Sequence, residues 1–135
     1  YGAPETVPLD EDSTTRPINP YGWSKLMTEQ MLRDIAATGA FNYGALRYFN
    51  VAGADPQGRS GQASKGATHL LKVACEAAVG KRTHVDVFGT DYPTPDGTCI
   101  RDYIHVSDLA SAHVLALEAL IANPGESFTL NCGYG

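Results

Sequence analysis

Tyr21 and Lys25 are the side chains whose types and spacing point most directly to chemistry, standing four residues apart in Asn19-Pro-Tyr21-Gly-Trp-Ser-Lys25. On a helix this spacing puts both on one face. A cation beside a phenol stabilises the phenolate and draws its pKa down from about 10, so that the oxygen can take a substrate proton near neutral pH. Tyr21 would then act as a general base, with Lys25 as its electrostatic partner. The same spacing also arises by chance at average composition, so the pair gains its meaning from the segments around it.

Local signals outline the elements that must position this pair. Asn19 can cap a helix, Pro20 suits its first position, and apolar residues recur until Gly39, which predicts a helix over residues 20–38. At about 100° per residue, Tyr21, Met27, Met31, Leu32, Ile35 and Ala36 share an arc that also contains Lys25, with Glu29, Gln30 and Arg33 on the other side. A lysine on the apolar side is costly without a partner, so its place beside Tyr21 calls for a chemical reason.

Residues 1–19, rich in Pro, Thr, Asp and Glu, read as a long irregular connection with a solvated acidic patch at Asp10-Glu11-Asp12. Tyr43–Phe49 reads as a strand buried on both faces. Asn50 falls at its C-terminal end, where open α/β sheets place ligand groups, and the glycine-rich stretch from Gly53 to Gly66 is a candidate binding loop. Apolar spacing predicts a second helix over Ala67–Val79, and alternation predicts a strand at His84–Phe88. A turn-rich loop at Tyr92–Gly97 and an extended piece through Thr98 and Ile100 to Arg101 follow. Ser107 is the expected cap of a helix to Ile121, and Ser127–Asn131 reads as a final strand.

The order α-β-α-β-β-α-β predicts an α/β fold, the later portion of a doubly wound Rossmann-type parallel sheet with part of a substrate-binding region. No G-x-G-x-x-G lies between a strand and a helix, so the phosphate cradle of a dinucleotide site has no counterpart in the sequence.

A net charge of −5 over 135 residues, with no basic cluster, argues against nonspecific nucleic-acid binding. The apolar runs are shorter than a membrane span, and the first residues lack a signal-peptide pattern, so the expectation is a cytoplasmic location. Cys75, Cys99 and Cys132 are odd in number and lack CxxC spacing, which favours buried reduced thiols over disulfides or zinc ligands. His69, His84, His105 and His113 form no metal-ligand pattern.

Taken together, Tyr21-Gly-Trp-Ser-Lys25, Leu46-Arg-Tyr-Phe-Asn50 with Val-Ala-Gly-Ala-Asp55, Phe88-Gly-Thr-Asp-Tyr-Pro-Thr-Pro-Asp-Gly97, Arg101-Asp-Tyr-Ile-His-Val106 and Leu130-Asn-Cys-Gly-Tyr-Gly135 resemble the UDP-glucose 4-epimerase family of the extended short-chain dehydrogenase/reductase group. The resemblance runs over essentially the whole chain in the expected order. It implies that Tyr21 removes the proton of the sugar 4-hydroxyl while the C4 hydride moves to tightly bound NAD. Return of the hydride to the other face of the 4-keto sugar would interconvert UDP-glucose and UDP-galactose. It further implies that Lys25 holds the nicotinamide ribose and that Tyr48 helps seat the nicotinamide end. For the UDP-sugar it implies Asn50 on the UDP moiety, Arg101 on the pyrophosphate, Phe88 in the uridine pocket, the helix-start residues His69 and Leu70, and Tyr103 as a lesser contact. His105 and His113 are assigned to structure.

By the same resemblance, residues 1–135 are a single partial domain. Residues 1–50 are the catalytic Tyr-Lys helix and following strand of the NAD-binding domain; residues 51–135 mix UDP-sugar-binding elements with the last Rossmann-type helix and strand. Family members also carry an N-terminal glycine motif, a catalytic Ser or Thr before the position of Tyr1, and a part that follows Gly135. The expectation is an internal piece that by itself has little NAD affinity, negligible epimerisation and open apolar strand edges. The parent protein would form a homodimer through helices including the one with Tyr21. Two alternatives stand beside this reading: an inactive truncated UDP-sugar-binding module, and a 4-epimerase of a pentose or N-acetylated UDP-sugar.

Overall fold

The computed structural model describes residues 1–4 and 6–134; Gly135, the last residue of the motif that begins at Leu130, lies outside them. Among the described residues seven elements follow in the order α1 (Pro20–Ala36), β1 (Gly44–Tyr48), β2 (Asn50–Ala52), α2 (Leu70–Ala78), β3 (Tyr103–His105), α3 (Val106–Ala122) and β4 (Phe128–Cys132). All strand pairing is parallel: β1 with β4, Gly44 opposite Phe128 through Tyr48 opposite Cys132, and β2 with β3, Asn50 opposite Tyr103 through Ala52 opposite His105. Parallel pairs need crossover connections, and α2 lies within the one from β2 to β3.

The start of α1 follows its local chemistry. Asn19 Oδ1 accepts a hydrogen bond from the Gly22 amide at 2.8 Å, satisfying one of the unpaired donors of the first turn, and Pro20 needs no amide there. Gly39, at φ +78°, ends the run. The orientation of α1 differs from the expected arc. Gly22, Leu26, Glu29, Leu32 and Ala36 are half-buried, whereas Met27, Met31 and Ile35 are 60%, 56% and 47% exposed, and Lys25 is exposed. The premise of a lysine on a buried face therefore does not hold.

The reason is an ion pair from the side expected to be polar. Arg47 on β1 donates from Nε to Glu29 Oε1 at 2.9 Å and from Nη2 to Oε2 at 2.7 Å, and Nη1 reaches the Tyr1 hydroxyl at 2.8 Å and the Glu11 carbonyl at 3.2 Å. Tyr1 in turn donates to Asn131 Oδ1 on β4 at 2.5 Å, and the Asn131 amide donates to Glu11 Oε1 at 2.7 Å. One guanidinium thus ties α1, Tyr1 and Glu11 to the β1–β4 pair. The fork geometry of arginine suits this two-point grip.

Other expectations change through tertiary pairing. β1 is half-buried along Gly44–Arg47, with Tyr48 52% exposed, rather than buried on both faces. His84–Phe88 forms no strand, and Val87 and Phe88 are exposed; alternation makes a strand only where a neighbour takes the backbone hydrogen bonds. Strand pairing falls instead at Tyr103–His105, beyond the piece expected at Thr98–Arg101, and adds β2 in what was expected to be strand end and loop. The second and third helices begin at Leu70 and Val106, and the final strand reaches Cys132. His105, not Ser107, caps α3: its Nδ1 accepts from the Ser107 amide at 3.1 Å.

Ile104 and Leu109, on either side of that junction, are buried at 6% and 7% exposure, and Pro17, ahead of α1, is the other buried residue among those described. α3 packs over β1, β2 and β3 from this point. Cys75 and Cys99 are exposed and Cys132 is half-buried; all three are free thiols, so the expectation of burial holds in part for Cys132 alone. No helix among the described residues is long and apolar enough to cross a membrane.

Candidate functional site

The C-terminal ends of β1, β2 and the segment before β3 open onto two adjoining cavities, each of about 720 Å³. The first is bordered by Asn50, His69, Leu70, Phe88, Arg101 and Tyr103, which are the six substrate-contact candidates. The second is bordered by Tyr21 and Tyr48, and it shares Asn50, His69, Leu70 and Tyr103 with the first. Lys25 lies outside both linings, with its Nζ 5.2 Å from the centroid of the Tyr21 ring. The i to i+4 spacing thus brings ammonium and phenol ring together on an exposed face, within cation–π range.

Each side chain is held by identifiable local structure. Tyr21 sits in the first turn of α1, 73% exposed beside the cavity. Tyr48 ends β1, its ring 6.3 Å from that of His113 on α3, and His113 Nδ1 lies 2.8 Å from the Leu109 carbonyl. Asn50 opens β2; its amide N–H and its side-chain Nδ2 both donate to the Asp102 carbonyl, at 3.2 and 2.8 Å, fixing the side chain across the β2–β3 pair. Phe88 is 89% exposed at the rim, an arrangement that leaves an aromatic face for a planar ligand. Arg101 donates from Nη1 to the Ile100 carbonyl at 3.0 Å. The Tyr92–Gly97 loop closes on itself through the Tyr92 amide and Gly97 carbonyl at 3.0 Å, and Tyr92 borders the first cavity.

The cavities also gather residues that sequence reasoning left out. Arg82 borders the first cavity and donates from Nε to Glu76 Oε2 at 2.6 Å, while Lys72 pairs with Glu76 Oε1 at 2.6 Å along α2. Lys72, then Arg82, hold the Glu76 carboxyl down at about 2. Gln62 borders the second cavity and meets His69 across the preceding loop. The i to i+4 spacing of Lys72 and Glu76 was a readable signal, whereas the roles of Arg82 and Gln62 depend on how the loops fold back. Among the described residues, no group of three or more His, Cys, Asp or Glu is placed to hold a metal ion.

Parallel strands with helical crossovers and a cleft at their carboxyl ends define an α/β protein of Rossmann-like class. Solved structures support this class: a UDP-glucose-4-epimerase from Stenotrophomonas maltophila with bound NAD and formylated UDP-arabinopyranose superposes with a TM-score of 0.92 at 46% identity, covering 100% of this chain and 40% of that one. A UDP-glucose 4-epimerase from Bifidobacterium longum in complex with NAD+ and UDP gives 0.88 at 43% identity, covering 98% of this chain and 40% of its own.

The chain matches the NAD dependent epimerase/dehydratase family over residues 1–133 and belongs to that family. A UDP-glucose 4-epimerase of Azospirillum brasilense is 67% identical over all 135 residues, which span 38% of that relative, and one of Rhizobium leguminosarum bv. trifolii is 52% identical, with 41% spanned. The chain therefore spans about two fifths of the length of these curated relatives.

Proposed function

We propose that this chain supplies the general base and most of the UDP-sugar cleft of an NAD-dependent UDP-glucose 4-epimerase. The observation that carries the proposal is the adjacency of the two cavities. All six candidate sugar-nucleotide contacts border one, the candidate base Tyr21 borders the other, and four residues are common to both. The nucleotide and the reacting carbon of one extended ligand fit such a pair.

Tyr21 and Tyr48 border the second cavity and Lys25 stands beside the Tyr21 ring just outside its lining, so a hydroxyl, an ammonium and an aromatic ring are available for the nicotinamide-ribose end of NAD. When bound, NAD would take the C4 hydride and return it to the opposite face of the sugar. The Tyr21 oxygen accepts the 4-hydroxyl proton and later gives it back, and the Lys25 ammonium donates to the ribose. Arg101 presents a forked donor to the diphosphate, Asn50 an amide to the UDP moiety, and Phe88 an apolar face to uracil. His69, Leu70 and Tyr103 line the junction where the sugar would sit.

In this reading residues 1–50 belong to the NAD-binding side and residues 51–135 to the UDP-sugar side of one partial domain. The protein works in the cytoplasm as a homodimer. The free thiols and the exposed apolar residues Met27, Met31 and Ile35 of α1 support those two points. A 4-epimerase of another UDP-sugar is the second reading. It is favoured by the formylated UDP-arabinopyranose in the Stenotrophomonas structure and by a Campylobacter jejuni UDP-Glc/GlcNAc 4-epimerase that is 54% identical with a TM-score of 0.72.

The test is NAD content and UDP-galactose turnover of the parent protein that carries this chain, with Tyr21→Phe alongside. Bound NAD with turnover that falls at least a hundredfold in the variant, while UDP affinity is retained, is the expected result. UDP affinity with neither NAD nor turnover would make the chain a noncatalytic UDP-sugar-binding module. Turnover that survives in Tyr21→Phe would remove the base assignment.

A further inference from the structure

His69 and His105 both stand at helix N-caps, yet their rings do different work. His105 Nδ1 caps α3 by accepting from the Ser107 amide. His69 makes no side-chain bond to α2; its Nδ1 lies 2.8 Å from Gln62 Nε2, across the loop that leads into the helix. An amide nitrogen carries only donors, so Gln62 donates and Nδ1 accepts. In the neutral ring the proton then resides on Nε2. Both residues border the cavity of Tyr21, and His69 also borders the cavity of Arg101.

We propose that Gln62 is a positioning residue that holds His69 as an Nε2–H donor at the wall shared by the two cavities, where the ring hydrogen-bonds an oxygen of the UDP-sugar. The inference rests on the UDP-sugar reading above and adds the group that sets the histidine's tautomer. Both a phosphate and a sugar hydroxyl present acceptor oxygens at such a junction. Without Gln62 the proton is shared between the two ring nitrogens, and the donor is present for only part of the population. The loop itself loses its tie to the start of α2.

The experiment is carried out on the full chain in two parts. Nitrogen-15 NMR of the His69 ring near pH 8 should show Nε2 protonated and Nδ1 bare, with the Nε2–H fraction reduced in Gln62→Leu. Calorimetric titration with UDP and with UDP-glucose should show affinity lowered roughly tenfold in His69→Ala and a few-fold in Gln62→Leu. The double variant should match His69→Ala, because Gln62 acts through the ring. Loss seen with UDP alone places the contact on the diphosphate; loss seen only with UDP-glucose places it on the hexose. A protonated Nδ1 in the unsubstituted chain, additive losses in the double variant, or unweakened binding in His69→Ala would each overturn the inference. If the unsubstituted chain binds neither UDP nor UDP-glucose, the functional reading itself fails, and the ligand contact with it.

Discussion

Replacing Arg47 with alanine should loosen α1 from the sheet and so separate the two sides of the proposed site. Among the described residues, the side-chain hydrogen bonds that join α1 to a strand are those from Arg47 to Glu29. Tyr21 lies on α1 and Tyr48 follows Arg47 on β1. The Arg47 and Glu29 side chains are 15% and 17% exposed, between the surface limit of about 1 kcal/mol and the 3–5 kcal/mol of breaking a fully buried pair. The Tyr1 hydroxyl and Glu11 carbonyl lose their donor as well. We expect a loss of about 3 kcal/mol, which at an m-value near 2 kcal/mol/M moves a urea midpoint by about 1.5 M. Arg47→Lys keeps the charge but loses the fork, and should give about half that loss. A cycle with Glu29→Gln should return a coupling of at least about 1 kcal/mol. The Arg47 pKa is raised above its ordinary value, chiefly by Glu29, so the guanidinium stays charged and these values should not change between neutral and moderately alkaline pH. A loss below about 0.5 kcal/mol, or no coupling, would refute the claim that this pair fixes the helix.

Glu76, held down at about 2 from 4.5 by Lys72 and then Arg82, gives a signed pH dependence. A depressed carboxyl adds stability that is complete above its unfolded value and fades as pH falls through the folded one. Denaturation midpoints from about pH 5 to pH 2 should therefore fall less steeply in Glu76→Gln than in the unsubstituted chain; parallel curves would contradict the pairing. Gly53 has φ +89°, and a Cβ there would overlap the His105 ring that caps α3. Gly53→Ala should destabilise by about 2–3 kcal/mol in thermal melts, against about 1 kcal/mol for Gly58→Ala at φ +69° in open space; equal losses would show that the ring gives way freely.

The sequence alone named most of the candidate residues that border the two cavities, because the relevant signals are local. Asn19 and Pro20 act on the turn next to them, so the start of α1 was legible, as were the two neighbours Tyr21 and Lys25 on one helix face. The ordered motifs carried the family and named six of the residues that border the first cavity. They did so without the cavity, because such motifs record which residue types occur together rather than where they meet.

What the sequence did not carry depends on partners distant along the chain. Which face α1 turns inward was decided by Arg47, eighteen residues beyond Glu29, and an arc drawn from apolar residues alone placed that glutamate on the wrong side. His84–Phe88 alternates like a strand yet stays unpaired, while three-residue β2 forms because Tyr103–His105 lies beside it. The capping role passed from Ser107 to His105 once β3 ran straight into α3, and Gln62 reached His69 only when its loop folded back. Local propensity acts through a turn or two of backbone. Helix facing, strand existence and the partner of a histidine ring depend on hydrogen bonds that only the tertiary fold brings within about 3 Å.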